Sequence, residues 1–298
     1  SKSVKRLTGR DVEADYRLTH PKLSALIEKA KSRPPLVTGV VYANDALSLR
    51  AAIAAALAGL IEPVFYGPEA RIRALAEQLN LPLPGRIEET GESAVGAVVT
   101  RDAGLRTETR ITHAFVFDLP RYPKLIALTD AVINIAPDVR TKADAITTAV
   151  RLLVQLGVRA PKVAILAAVE TVHERIPATI DAQALVALAL SGRFGSAIID
   201  GPLALDNAVS LEAAAIKGIV SPVAGLADVL IVDNIDVGNV FYKTLVYFAG
   251  ANVAGIIMGA SAPMILTSRA DSSDTKFNSI ALACILAERG VFGAAIKG

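Results

Sequence analysis

Met264-Ile265-Leu266-Thr267-Ser268-Arg269-Ala270-Asp271-Ser272-Ser273-Asp274 closes an uncharged run that begins at Thr244. The apolar triplet predicts a buried strand, and it delivers a hydroxyl and a guanidinium side by side. Beyond it Phe277, Ile280, Ala281, Cys284 and Ile285 recur at helical spacing. Strand, polar turn and helix start is the place where an α/β fold gathers anion-binding groups. The free N–H groups of the first helical turn point outward there, and the macrodipole favours negative charge. A guanidinium adds a planar fork suited to phosphate or carboxylate. The plainer alternative is that Ser268 caps the helix and Arg269 is a solvated charge.

The rest of the chain agrees with an α/β reading. Leu36 to Tyr42 and Pro63 to Gly67 are apolar runs, separated by the alanine-rich segment Ala46 to Leu60. A helix precedes them around Leu23, Leu26, Ile27 and Ala30, and Pro68 opens another after them. This β-α-β-α alternation predicts a parallel sheet with helices on both faces. Thr112 to Phe117 and Lys124 to Thr129 are strands joined by a short connection, which predicts an antiparallel pair. A second alternating block follows. Its helices end at Gly157, Gly192, Gly218 and Gly250, and its strands are Val163 to Leu166, Ala197 to Ile199 and Val229 to Val232.

The domain expectation is an arm or linker over 1–20, a first α/β domain of 21–138 plus 263–298, and an inserted second domain over 139–262. A final strand at Ala294 to Ile296 would return to the first sheet. The active site is expected between the two domains.

Composition narrows the function. The chain has 298 residues, 52% hydrophobic and 20% charged, enough for two ordinary domains. A net charge of +2 and the absence of a basic run interleaved with aromatics argue against nucleic acid. Gly250, Asn252, Gly255, Gly259, Ser261 and Pro263 divide the long uncharged run, so no membrane span is expected from it. The single cysteine, Cys284, on an apolar helix face, suggests core packing and a cytoplasmic protein.

Polar residues cluster at the ends of expected strands: Thr129-Asp130, Asn134, Glu170, Asp200, Asp206, Asp233, Asp236 and Asn239. In open α/β sheets such ends border the ligand crevice. The four aspartates Asp200, Asp206, Asp233 and Asp236 would suit a divalent metal if they converged, and otherwise cap helices and form turns. Neither a Gly-x-Gly-x-x-Gly turn after the first strand nor a Gly-Lys-Ser/Thr loop is present.

Several blocks resemble the phosphate acetyl/butyryltransferases. They are Ser221 to Val232, Val237-Gly238-Asn239 with Tyr242-Lys243, and Ile265 to Ser272. Asp200 to Ala208, Asn134 to Asp138 and Gly104-Leu105-Arg106-Thr107 fit as well. The resemblance runs from Leu23 to the C-terminus and is nearest the butyryl-type branch, including the acyltransferase half of fusions with an enoyl-CoA hydratase-like domain. It implies two α/β domains of isocitrate/isopropylmalate dehydrogenase-like architecture, with the active site in the interdomain cleft. It implies transfer of a short acyl group between coenzyme A and inorganic phosphate in a ternary complex, without metal or cofactor, by a homodimer. The catalytic residues it implies are Ser268 and Arg269; Asp274 is the carboxylate nominated as base, with Asp271 the other acidic residue flanking position 275. Asn134, Asp200, Asp206, Asn239, Thr267 and Arg106 are the candidates for substrate binding.

Two departures accompany the resemblance. The family's carboxylate position seven residues past the serine is Thr275 here, and Ser93 runs directly into Ala94 in the given sequence where the family carries a loop. A metal-dependent hydroxy-acid dehydrogenase of similar fold and a non-catalytic coenzyme A-binding domain are the rival readings.

Overall fold

The structure is a computed structural model that describes residues 20–41, 43, 45–90, 105, 107–268 and 270–287. The arm over 1–19, the Ser93–Ala94 junction, Arg106, Arg269 and the final strand at 294–296 lie outside the described residues.

Two sheets carry the fold. The smaller is a parallel three-stranded sheet of β1 (Leu36–Val41), β2 (Ile61–Gly67) and β3 (Arg86–Glu89). Helix α1 (Pro21–Lys31) precedes it, and α2 (Ala46–Leu57) and α3 (Glu69–Gln78) connect its strands. Asp45 starts α2, its Oδ1 accepting the backbone N–H of Ser48 at 2.9 Å. Leu49, Ile53, Phe65 and Ile72 close a compact core between sheet and helices.

The larger sheet has six strands in the order β7-β6-β8-β5-β4-β9. These are β4 (Thr112–Asp118), β5 (Ile126–Thr129), β6 (Lys162–Leu166), β7 (Ile198–Leu203), β8 (Val229–Ile231) and β9 (Asn252–Met258). β4 pairs antiparallel with both β5 and β9, while β5, β8, β6 and β7 pair parallel. The antiparallel β4–β5 pair is the one the short connection predicts. The helices of this half are α4 (Val139–Gln155), α5 (Pro177–Leu190), the short α6 (Leu205–Val209) and α7 (Leu211–Ile216), and α8 (Ile235–Tyr247). Every residue of β4, β5, β8 and β9 is buried. Strands covered on both faces read as unbroken apolar runs, which is why they stand out in the sequence.

Three features differ from the expectation. A division at 138/139 cuts through the six-stranded sheet, because β4 and β5 hydrogen-bond within it. Their partners β8 and β9 lie a hundred or more residues away, and only pairing reveals that association. Met264-Ile265-Leu266 is not a full strand: Met264 forms one antiparallel bridge with Ile257, and 265–268 are irregular. Pro263, just before it, has no N–H to extend a ladder. Third, Asp200-Gly201-Pro202 continues β7 rather than ending it.

The last helix, α9 (Ser273–Ala287), joins the two halves. It packs on β9 and on α1 and α2, and its buried Ala281, Leu282, Ile285 and Leu286 share a core with Leu23, Val116 and Ile256. Among the described residues no helix is long and apolar enough to cross a membrane.

Candidate active site

β5, β8 and β9 run in the same direction, and β4 runs against them. The sheet therefore presents Thr129-Asp130, Ile231 and Met258 at one edge, beside the first residues of β4. This is the carboxyl edge where open α/β sheets bind ligands. Just beyond Met258, Gly259 turns the chain at φ 87°, and a Cβ there would sit 2.3 Å from the carbonyl oxygen of Arg110. Thr107 Oγ1 donates to the Gly259 carbonyl at 2.6 Å, and Ser261 N donates to the Leu105 carbonyl at 2.8 Å. The segment that flanks Arg106 is thus laid against the turn that leads to Ser268.

The Ser268 segment is a closed loop. Asp271 N donates to the Ser268 carbonyl at 3.1 Å, and Ser268 N donates back to Asp271 Oδ2 at 2.7 Å. The other Asp271 oxygen accepts the hydroxyl of Tyr242 from α8. Asp271 and Tyr242 are buried, whereas Ser268 is exposed. Ser268 Oγ accepts Ala270 N at 3.3 Å, so the hydroxyl lies over its own loop. It does not cap the helix. Ser272 does that, its Oγ accepting Thr275 N at 3.1 Å.

Lys276 reaches back from the first turn of α9. Its ammonium donates to Thr267 Oγ1 at 2.8 Å and to the Ser268 carbonyl at 3.1 Å, and the residue is 6% exposed. Asp274 is exposed in the same turn, and Thr275 is buried with its hydroxyl 3.1 Å from that of Ser272. A buried cation and a free helix start beside a serine make a local environment that favours anions.

A second network lies behind the loop. Asp130 Oδ1 accepts Val132 N at 2.9 Å and Ile133 N at 3.0 Å, and its Oδ2 accepts Asn134 Nδ2 at 2.6 Å. Asn134 Nδ2 also reaches the Ile111 carbonyl at 3.0 Å. Between Asp130 and Asp271 sits fully buried His113. Burial pulls its pKa down to about 4, against the pull of those two carboxylates upward. His113 packs on Phe115 at 4.4 Å, and Phe115 stacks on Tyr242 at 4.1 Å with rings 1° from parallel. The chain His113, Phe115, Tyr242, Asp271 thus ties sheet, α8 and serine loop into one unit.

The structure brings Thr267, Ser268, Asp271 and Asp274 together, with Asn134 behind them and exposed Asn239 one helical turn before Tyr242. Asp200 and Asp206 make their contacts elsewhere. Asp200 Oδ1 accepts Gly201 N at 2.8 Å within β7. Asp206 pairs with Lys217 at 3.1 Å, and Lys217 also holds Glu170 at 2.8 Å. The Lys217 bond keeps both carboxyls below their ordinary range. Asp233 is held by Lys142 at 2.6 Å, which also binds Asp181 at 2.7 Å. Among the described residues no group of three or more His, Cys, Asp or Glu side chains is arranged to hold a metal ion. Sequence reasoning placed Asp130 at a strand end and Tyr242 in a family-like block without tying either to the serine loop, and it gave no role to Lys276.

Comparison with known proteins adds to this geometry. The family described as Phosphate acetyl/butaryl transferase matches residues 98–284. A phosphate acetyltransferase from Rhizobium meliloti is 41% identical over 297 residues, spanning 90% of this chain and 94% of that one. A phosphate butyryltransferase from Clostridium acetobutylicum is 43% identical over 191 residues, 64% of each chain. The crystal structure of a branched-chain phosphotransacylase from Enterococcus faecalis V583 superposes with a TM-score of 0.65 at 28% identity, covering 90% of this chain and 96% of that one.

Proposed function

The chain belongs to the phosphate acetyl/butyryltransferase family, and from that premise we propose that it is a phosphate acyltransferase moving a short acyl group between coenzyme A and inorganic phosphate. The observation that carries the reading is the near full-length similarity to a phosphate acetyltransferase. Relatives named for acetyl and for butyryl transfer both occur, so acetyl and butyryl are the acyl groups proposed.

In the proposed reaction the thiol sulfur of coenzyme A attacks the carbonyl carbon of the acyl phosphate. The C–O bond to phosphate breaks, phosphate departs with that electron pair, and the thiol proton passes to a base. Thiols titrate near ~8.5, so a base speeds attack at neutral pH. Both substrates are anions. The helix start at Ser272, the Lys276 ammonium and Arg269 of the same segment would balance that charge. Ser268 would hydrogen-bond the carbonyl oxygen or sulfur as charge develops there. Asp274, exposed in the first turn of α9, is the proposed base. Asp271 has both oxygens committed to Tyr242 and to Ser268 N, which favours a supporting part over proton transfer. Asn134 and Asn239 are proposed to line the substrate path together with Thr267 and Arg106, and the path to lie in a cleft between the halves built on the two sheets. No metal or cofactor enters this scheme.

We propose further that the protein works as a homodimer in the cytoplasm. Val237, Val240, Tyr247 and Phe248 leave an exposed apolar strip along α8, with Phe248 88% exposed, a face suited to a second copy. The test of function is phosphate-dependent thiol release from acetyl-, propionyl- and butyryl-CoA, with and without EDTA. Release that survives EDTA is expected; absence of release, or loss with the chelator, overturns the reading.

A further inference from the structure

We propose that Tyr242 is a positioning residue for Ser268: its buried hydroxyl holds the Asp271 carboxylate, and that carboxylate holds the backbone N–H of Ser268. What Ser268 then does in turnover rests on the acyltransferase reading; the clamp itself does not.

Asp271 is the centre of the clamp. A buried carboxylate is costly unless its oxygens are satisfied by donors. Here one oxygen takes Ser268 N at 2.7 Å and the other takes the Tyr242 hydroxyl. Tyr242 is 3% exposed, in the middle of α8. Its ring is fixed independently, stacked flat on Phe115 of the fully buried β4. Phe117 flanks the same ring at 6.3 Å. The clamp is therefore anchored on the fully buried strand β4. The serine loop has no regular structure over 265–268, and it is held by Asp271 on the Ser268 N–H and by the Lys276 ammonium on Thr267 and the Ser268 carbonyl. Burial and the neighbouring carboxylate push the Tyr242 phenol upward, so it stays protonated and donating at any working pH.

A tyrosine kept merely for packing would serve as well without its hydroxyl, since ring and stack survive in phenylalanine. The hydroxyl matters only if Asp271 must stay where it is. In an exposed serine that faces substrate, an error of an ångström at the backbone is a loss of rate more than of affinity.

The experiment uses the full chain and Tyr242→Phe. Hydrogen exchange of peptides covering 264–272 should quicken, while those covering 112–118 stay protected. The kcat should fall roughly tenfold to a hundredfold with the KM of both substrates within about twofold of wild type. On a Ser268→Ala background, Tyr242→Phe should add less than roughly twofold, because coupled residues are non-additive. Asp271→Asn should reproduce the exchange pattern. Unchanged exchange over 264–272 overturns the proposal, as does a Tyr242→Phe effect that multiplies fully with Ser268→Ala. If the wild type releases no thiol from acyl-CoA but exchange quickens as expected, the acyltransferase reading falls and the clamp stands.

Discussion

The ammonium of Lys276 donates to the hydroxyl of Thr267 at 2.8 Å, tying the first turn of α9 to the residue before Ser268. The same ammonium reaches the Ser268 carbonyl at 3.1 Å, and the residue is 6% exposed. Burying a cation costs several kcal/mol, and the hydrogen bonds it makes offset part of that. Lys276→Met keeps the aliphatic bulk and removes both terms. Thr267 is only half-buried, and the carbonyl belongs to an exposed residue that water can reach. The net change in unfolding free energy should therefore stay within about 1 kcal/mol. Turnover should fall and the KM for phosphate should rise, because a positive charge has left the loop. Urea denaturation and steady-state kinetics check this. A loss of stability above ~3 kcal/mol with phosphate KM unchanged would make Lys276 a structural residue.

His113 predicts a pH dependence. Its folded pKa is about 4, below the ordinary 6.5. Between those values the unfolded chain binds a proton that the folded chain does not, so stability rises with pH across the window. The contribution is fully present above pH 6.5 and is lost as pH falls toward 4, amounting to about 3 kcal/mol. His113→Gln should lack this component. Urea midpoints of wild type and variant at pH 4.5, 5.5 and 7 should diverge more as pH rises. A constant difference across the range would show that His113 does not titrate in this way.

Gly238 lets α8 approach the sheet. A Cβ there would lie 2.9 Å from Ala131 Cα and 3.0 Å from Val232 Cγ2. Gly238→Ala should cost about 1–3 kcal/mol as the helix is pushed outward. Tyr242, one turn further along, would move with it, so turnover should fall beyond what lost stability explains. Gly157→Ala is the control. Gly157 ends α4 at φ 103° with open space around it, so alanine there is strained without meeting a neighbour. It should lower the melting temperature and leave kcat alone. Equal effects of the two variants on kcat would break the link between α8 and the serine loop.

Much of the fold is legible in the sequence because of how this sheet is buried. Strands covered on both faces are apolar throughout, and the helices between them end in glycines. Gly157, Gly192, Gly218 and Gly250 all adopt the positive φ that a helix terminator requires. The polar edge strand Arg86–Glu89 is mostly exposed and carries no such pattern. Sheet membership is less legible still, since β4 pairs with β9 across more than a hundred residues and nothing local records it. Ser268 is readable because a helix start is a local feature. Tyr242 is not, because its contact to Asp271 crosses from α8 to the loop, and a tyrosine on an apolar helix face looks like core.

Asp274 decides between two accounts of the helix start. If it takes the coenzyme A proton, Asp274→Asn keeps the size and loses the basicity. Transfer from acyl phosphate to coenzyme A should then slow by roughly a hundredfold, and raising the pH should recover much of it as free thiolate accumulates. The alternative is that Asp274 serves only the helix. The structure narrows that alternative, because Ser272 already accepts Thr275 N as the cap. What remains for Asp274 is a favourable charge near the positive helix end, worth about 0.3–1 kcal/mol when exposed. On that account Asp274→Asn shifts stability by less than 1 kcal/mol or so and leaves the rate untouched at every pH. The pH–rate profiles of the two proteins separate the accounts. Curves that diverge at neutral pH and converge at high pH assign the base to Asp274. Parallel curves of similar height remove it, and since both oxygens of Asp271 are already engaged, the base would then have to come from outside the serine loop.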